Sequence, residues 1–289
     1  MYRNTFLSVM FLACCFNGSL CAQSDAQIYE RTCDAKTYPF SDPSPVATPN
    51  NSYYPYFRFD GFSMQAQEKQ WKMVVLENDY VKLTVTPEIG GKIWGAIDKV
   101  NNKEFVYTNG VVKFRDVAMR GPWTSGGIEF NFGIIGHAPT CSTPIDYLTK
   151  KNVDGSVSCH IFSYEWITRT VWNVEINLPK DKAYFTTHTT WFNQSSIDQP
   201  YYQWMNAGYA TKTGTRFYYP GTYSIGHSGD LHPYPIDEEG RDVSWYDNNN
   251  FGASKSLHII GDYNDYFGIY WHNEKHGSAH YSNYDEKLG

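Results

Sequence analysis

From Trp71 to its last residues the chain is written in short apolar–polar alternations closed by turn residues, and this pattern limits its fold more than any other feature. Val81, Leu83 and Val85 alternate with Lys82, Thr84 and Thr86. Trp172, Val174, Ile176 and Leu178 alternate with Asn173, Glu175 and Asn177. A period of two sends the two sets to opposite faces of a strand. Asn78-Asp79 and Asn101-Asn102 supply turns, and Pro87 ends a strand. Further strands are expected over 161–178, 183–192, 201–210, 216–219, 256–261, 266–272 and 278–281. No apolar stripe of helical period lasts three turns, and no fixed repeat is visible, which argues against a propeller. The fold expected is all-β, a large antiparallel β-sandwich. Residues 221–253 read as one long loop, rich in aromatic and charged residues, either covering a site or lying as a solvated acidic surface loop.

Residues 1–22 read as a secretory signal: Arg3, an apolar run from Phe6 to Phe16, then Ser19-Leu20-Cys21-Ala22 as a small-residue cleavage region. That run is shorter than the roughly 20 residues a spanning helix needs. The protein is therefore expected to be exported, periplasmic or at the cell surface, with no integral membrane segment once the signal is removed. Residues 23–66 carry Pro39, Pro43, Pro45, Pro49 and Pro55 and read as an arm outside the core, held down by Tyr53, Tyr54, Tyr56, Phe57 and Phe59. Residues 67–289 form the sandwich domain. Of the cysteines beyond the signal, Cys141 and Cys159 could pair in an oxidising compartment, leaving Cys33; three free thiols are the alternative. A net charge of −6, without a basic cluster, speaks against a nucleic-acid partner.

Chemistry concentrates between Arg120 and His137. Gly126-Gly127 permits positive φ or close backbone approach, and it opens an alternation of Ile128, Phe130 and Phe132 against Glu129 and Asn131. Arg120, Trp123 and His137 flank it. Flat rings with planar polar groups suit a saccharide, whose C–H faces stack and whose hydroxyls pair. Glu129 and His137 are the candidate catalytic residues. Arg120, Trp123, Asn131, Trp204, Asn206, His227 and Trp245 are candidate substrate contacts. A second carboxylate could come from Glu165, Glu175, Asp230 or Asp237, and His188 or His227 could also carry protons. No cofactor motif or diagnostic metal-ligand spacing is present, and a sugar is the partner expected.

The run from Glu77 through Val81-Lys82-Leu83 to Pro87-Glu88-Ile89-Gly90-Gly91-Lys92-Ile93 and Asp98 resembles the opening of the galactose-mutarotase-like superfamily. Gly121-Pro122-Trp123 with Ser125-Gly126-Gly127-Ile128-Glu129-Phe130-Asn131 is similar to the family known as domain of unknown function 5107. The resemblance runs from about Trp71 to the C-terminus. It implies a β-supersandwich with a carbohydrate cleft on its concave sheet, in exported bacterial proteins often continued by tetratricopeptide repeats. It also implies partner domains beyond the C-terminus. Mutarotases carry two motif histidines that have no counterpart at Gly126-Gly127-Ile128-Glu129 or Trp204-Met205-Asn206-Ala207-Gly208, and a late glutamate on a strand this chain stops short of. The domain is thus expected to be C-terminally incomplete. The functions expected are glycoside hydrolysis or sugar isomerisation by carboxylate acid/base chemistry. The alternative is a non-catalytic carbohydrate-binding module or a cell-surface interaction domain.

Overall fold

The computed structural model describes residues 24–40, 63–116, 122–133, 137, 139–165, 168–200, 203–226, 228–251, 256–260 and 265–283. The signal segment and the aromatic run from Tyr53 to Phe59 lie outside them. The first strands are β1 (Gln27–Tyr38), β2 (Gln67–Glu77), β3 (Val81–Thr86), β4 (Lys92–Asp98), β5 (Lys103–Val106) and β6 (Val112–Lys113). Three more come next: β7 (Arg115–Asp116), β8 (Pro122–Trp123) and β9 (Ile128–Phe132). A second group is β10 (Asp146–Lys151), β11 (Val157–Glu165), β12 (Thr170–Leu178) and β13 (Thr186–Asn193), after which β14 (Gln203–Ala207) returns to the first. The larger sheet has eight strands in the order β14-β9-β4-β3-β2-β1-β6, with β5 paired to β4, and β10 to β13 form a four-stranded sheet.

These two sheets share one core. Val74, Leu76, Val81, Leu83, Val85, Ile93, Ile128, Phe130 and Phe132 from the larger sheet meet Val157, Cys159, Ile161, Trp172, Val174, Ile176 and Leu178 from the smaller. Phe132 stacks on Trp172 across the interface, with centroids 4.4 Å apart and planes at 10°. The alternation in β12 is realised residue by residue, its apolar members buried and its polar members half-exposed. The chain is all-β, a sandwich, as the period of two requires.

Three expectations are corrected. Residues 27–38 are not part of an arm: β1 runs antiparallel to β2 from Gln27↔Glu77 to Thr37↔Gln67. The prolines that suggested an arm begin only at Pro39, so they restrict the chain after the strand and not the strand itself. The run 161–178 is two strands, because the chain turns after Glu165 and Arg169 takes φ 56°. Residues 221–253 are not a single loop, since β16 (Tyr223–Ile225) pairs with β17 (Leu231–Pro233) and Ile236 bridges Asp242. The remaining strands are β15 (Thr215–Tyr218), placed before β16, and then β18 (His258–Ile260), β19 (Tyr266–Trp271) and β20 (His276–Tyr281). They make two small sheets, β15-β19-β20 and β17-β16-β18. All three cysteines of the described chain are free thiols, Cys141 and Cys159 buried among them.

Candidate functional site

The paired glycines are used for close packing of the chain on itself. Gly126 and Gly127 take φ of 75° and 66°. A Cβ on Gly127 would fall 2.3 Å from the Ile93 carbonyl oxygen. The Gly127 N–H donates to the Tyr107 carbonyl, and the Gly208 N–H donates to the Gly127 carbonyl, at 2.8 and 2.7 Å. This knot fixes where β9 starts and locks β14 beside it. Since Ile128, Phe130 and Phe132 enter the shared core, Glu129 and Asn131 point to the opposite face of the larger sheet. In register, Asn206 stands opposite Glu129, and Trp204 opposite Asn131, on that same face.

A cluster results whose floor is buried and whose rim is half-exposed. Glu129 is 1% exposed. Its Oε1 accepts from Asn131 Nδ2 at 2.8 Å and lies 2.8 Å from His137 Nδ1. The imidazole sits edge-on to two indoles, 5.9 Å from Trp123 and 4.9 Å from Trp204 between ring centroids. His137 takes φ 53°, a left-handed conformation that costs a non-glycine residue about 1 kcal/mol or more and concentrates at functional sites. Among the described residues, three buried polar atoms of the cluster have no hydrogen-bond partner: Glu129 Oε2, Trp123 Nε1 and Trp204 Nε1. Each such group costs roughly 1–3 kcal/mol if nothing satisfies it.

Beneath the cluster lies a residue that the sequence pattern did not single out. Lys92 is 1% exposed, its ammonium donating to the Thr124 carbonyl and hydroxyl and lying 5.9 Å from the ring centroids of Trp94 and Trp123. Burial pushes its pKa down, opposed by the negative charge of Glu129. Cys141 is close enough to feel the same carboxylate: burial first, then Glu129, push its thiol well up. A lysine two positions before Trp94, directly after a paired-glycine turn, was the available clue, because a period of two places both on one face.

The other predicted residues divide. Arg120 and His227 lie outside the described residues. Trp123, Asn131, Trp204 and Asn206 are brought onto the face of Glu129 and His137. Trp245 is seated elsewhere, 4.8 Å from the His272 ring and 5.1 Å from the Arg216 guanidinium. Of the four candidate second carboxylates, three are engaged by groups other than Glu129 and the fourth is exposed. Glu165 accepts from the Thr168 N–H and hydroxyl, and Glu175 from Ser158. Asp237 pairs with Arg241 at 2.7 Å, while Asp230 is exposed between β16 and β17. His188 is exposed on β13 of the smaller sheet. Among the described residues no three His, Cys, Asp or Glu side chains gather as metal ligands, and no helix is long and apolar enough to cross a membrane.

The class is thus a two-sheet β-sandwich with a buried carboxylate bonded to a half-buried imidazole beside two tryptophans, on the face of the larger sheet turned from the shared core. The chain belongs to the family described as domain of unknown function (DUF5107), whose model matches residues 48–289. Its fold is also that of a crystallised TPR-domain containing protein from Parabacteroides distasonis ATCC 8503, with a TM-score of 0.69 and 23% identity. The match covers 86% of this chain and 42% of the other, so this chain spans less than half of that protein.

Proposed function

We propose that this is an exported carbohydrate-active protein, built as a galactose-mutarotase-like supersandwich, that binds a sugar ring over Glu129, His137, Trp123 and Trp204. The observation that carries the reading is the Glu129–His137 hydrogen bond set between two indoles, in a cluster where three buried polar atoms have no partner among the described residues. A carboxylate that accepts from Nδ1 holds the imidazole in the tautomer whose Nε2 is a free base. Indole rings and the Asn206 amide supply the stacking and hydroxyl contacts a pyranose needs. Glycoside cleavage ordinarily uses two carboxyl groups, roughly 5–5.5 Å apart for retention and 6.5–9.5 Å for inversion. Of the four carboxylates that could have partnered Glu129, Glu165, Glu175 and Asp237 are held by other groups and Asp230 is exposed between β16 and β17, so the favoured chemistry is proton transfer at a free sugar, as in isomerisation or ring opening. His137 then moves the proton and Glu129 orients it.

A second reading, the non-catalytic binding module, draws on the closure of Glu129 beneath its neighbours. By likeness to the TPR-domain containing protein, the β domain would work beside a partner domain.

One experiment separates the readings: exchange NMR of free aldoses and a glycoside screen, run on wild type, His137→Ala and Glu129→Gln. Isomerisation should be present in the wild type and fall about 10²–10⁴-fold in His137→Ala. Binding with no turnover on any sugar or glycoside would leave the module, and absence of both would remove the saccharide reading.

A further inference from the structure

Away from Glu129, the two small sheets and the segments joining them frame a pair of adjoining open clefts of about 260 and 350 Å³ that share Phe217, Tyr219 and Tyr234 as a common wall. The larger falls in the range of small-molecule pockets, roughly 300–1,000 Å³. Neither cleft is lined by a residue of the Glu129 cluster. One wall is aromatic and rigid. Tyr219 stacks on Phe267 with centroids 5.2 Å apart and planes at 3°, and Phe267 stacks in turn on His280 at 4.8 Å. Facing it is Tyr234, only 7% exposed, which lines both clefts. Its phenol makes no hydrogen bond to another described residue, and its oxygen is not among the buried unpartnered atoms, so it stays reachable from the cleft. The charged residue of the lining is already neutralised. Arg216 donates through Nε to Ser244 Oγ at 3.2 Å, lies 3.7 Å from Asp242 and packs over Tyr218 and Trp245.

We infer that this tyrosine-walled cleft is a second ligand site, for a neutral sugar residue. Ring faces accept the C–H side of a pyranose, and the Tyr234 phenol can donate to or accept from its hydroxyls. A charged sugar finds no free opposite charge in this lining, because Arg216, its one charged residue among those described, is already paired with Asp242. The two sites together would give the protein two separate grips on carbohydrate, and the second stands whether or not the Glu129 cluster is catalytic.

The test is a titration of protein labelled with ¹³C in its tyrosine rings, using glucose, galactose, mannose, cellobiose and lactose, with glucuronate as the charged comparison. Tyr234→Phe, which removes only the hydroxyl, identifies the Tyr234 resonance by its loss. At least one neutral sugar should shift the Tyr219 and Tyr234 resonances. Tyr234→Phe should weaken that response roughly fivefold, while Glu129→Gln leaves it unchanged. The inference is overturned if no sugar moves either resonance or glucuronate binds more tightly than every neutral sugar. It also falls if Glu129→Gln abolishes the response, or if Tyr234→Phe, shown folded by its amide spectrum, binds like the parent. Loss of sugar turnover in Glu129→Gln with the tyrosine response intact would separate the two sites directly.

Discussion

Gly127 carries a constraint that no other residue type meets at low cost. Its φ of 66° places it in the left-handed region, and the Ile93 carbonyl and Lys92 Cε crowd the space a Cβ would take. Gly127→Ala should therefore destabilise the protein by about 2 kcal/mol or more, read as a lowered urea midpoint at constant m-value. A matching change at Gly240, with φ 78° but open space around it, should cost less. Thiols offer a second residue-scale test. Burial pushes Cys159 up to about 12 and holds Cys141 well above its ordinary value, whereas Cys33 is half-buried. Iodoacetamide should label native protein at Cys33 alone among these three, with Cys141 and Cys159 reacting only on unfolding, as peptide mass mapping would show. Labelling of native Cys159 would mean the shared core opens far more readily than its packing implies.

At the scale of elements, β1 decides the width of the larger sheet. Its backbone pairs with β2 over most of its length, and its end joins β6 in parallel at Thr37↔Val112. Trp71 Nε1 donates to the Thr37 hydroxyl at 2.9 Å, tying the two strands through buried side chains. Removing residues up to Tyr38 would expose one long edge of β2, which is an invitation to aggregation. Such a truncation should lose the cooperative melt or precipitate. Had these residues been an arm, it would melt like the parent. The proline spacing that marked residues 23–66 as irregular was real, but it describes only the part beyond Tyr38. Alternation in β1 is poor, since most of its residues are exposed and polar or charged ones follow one another, so its sequence carried little sign of a strand. Pairing by backbone hydrogen bonds needs no apolar pattern.

For the molecule as a whole, two buried groups in separate sheets tie stability to alkaline pH. Burial raises Tyr234 from 10.0 to about 12, in the small sheets, and Cys159 from 9.0 to about 12, in the sandwich core. A group whose native pKa is raised holds its proton more tightly folded than unfolded. Its contribution is complete below the ordinary value and is lost as pH climbs through the native one. Stability should thus fall steadily between roughly pH 9 and 12, and Cys159→Ser with Tyr234→Phe should flatten that fall, as urea melts at several pH values would show. An unchanged slope in the double variant would mean that other groups govern the alkaline limit.

What the residues determined by themselves was local. Period-two alternation set the strands and their faces, the paired glycines set a turn, and Glu129, Asn131 and His137 were near one another because the chain between them is short. Trp204 and Asn206 were nominated from sequence, yet only the return of β14 to β9 placed them over that acid. Lys92 beneath it, the inclusion of β1 and the distance of Trp245 were likewise decided by tertiary packing. The reason is physical. Which face a side chain takes follows from its own strand, whereas which strand lies beside it depends on burying the shared core from both sheets at once.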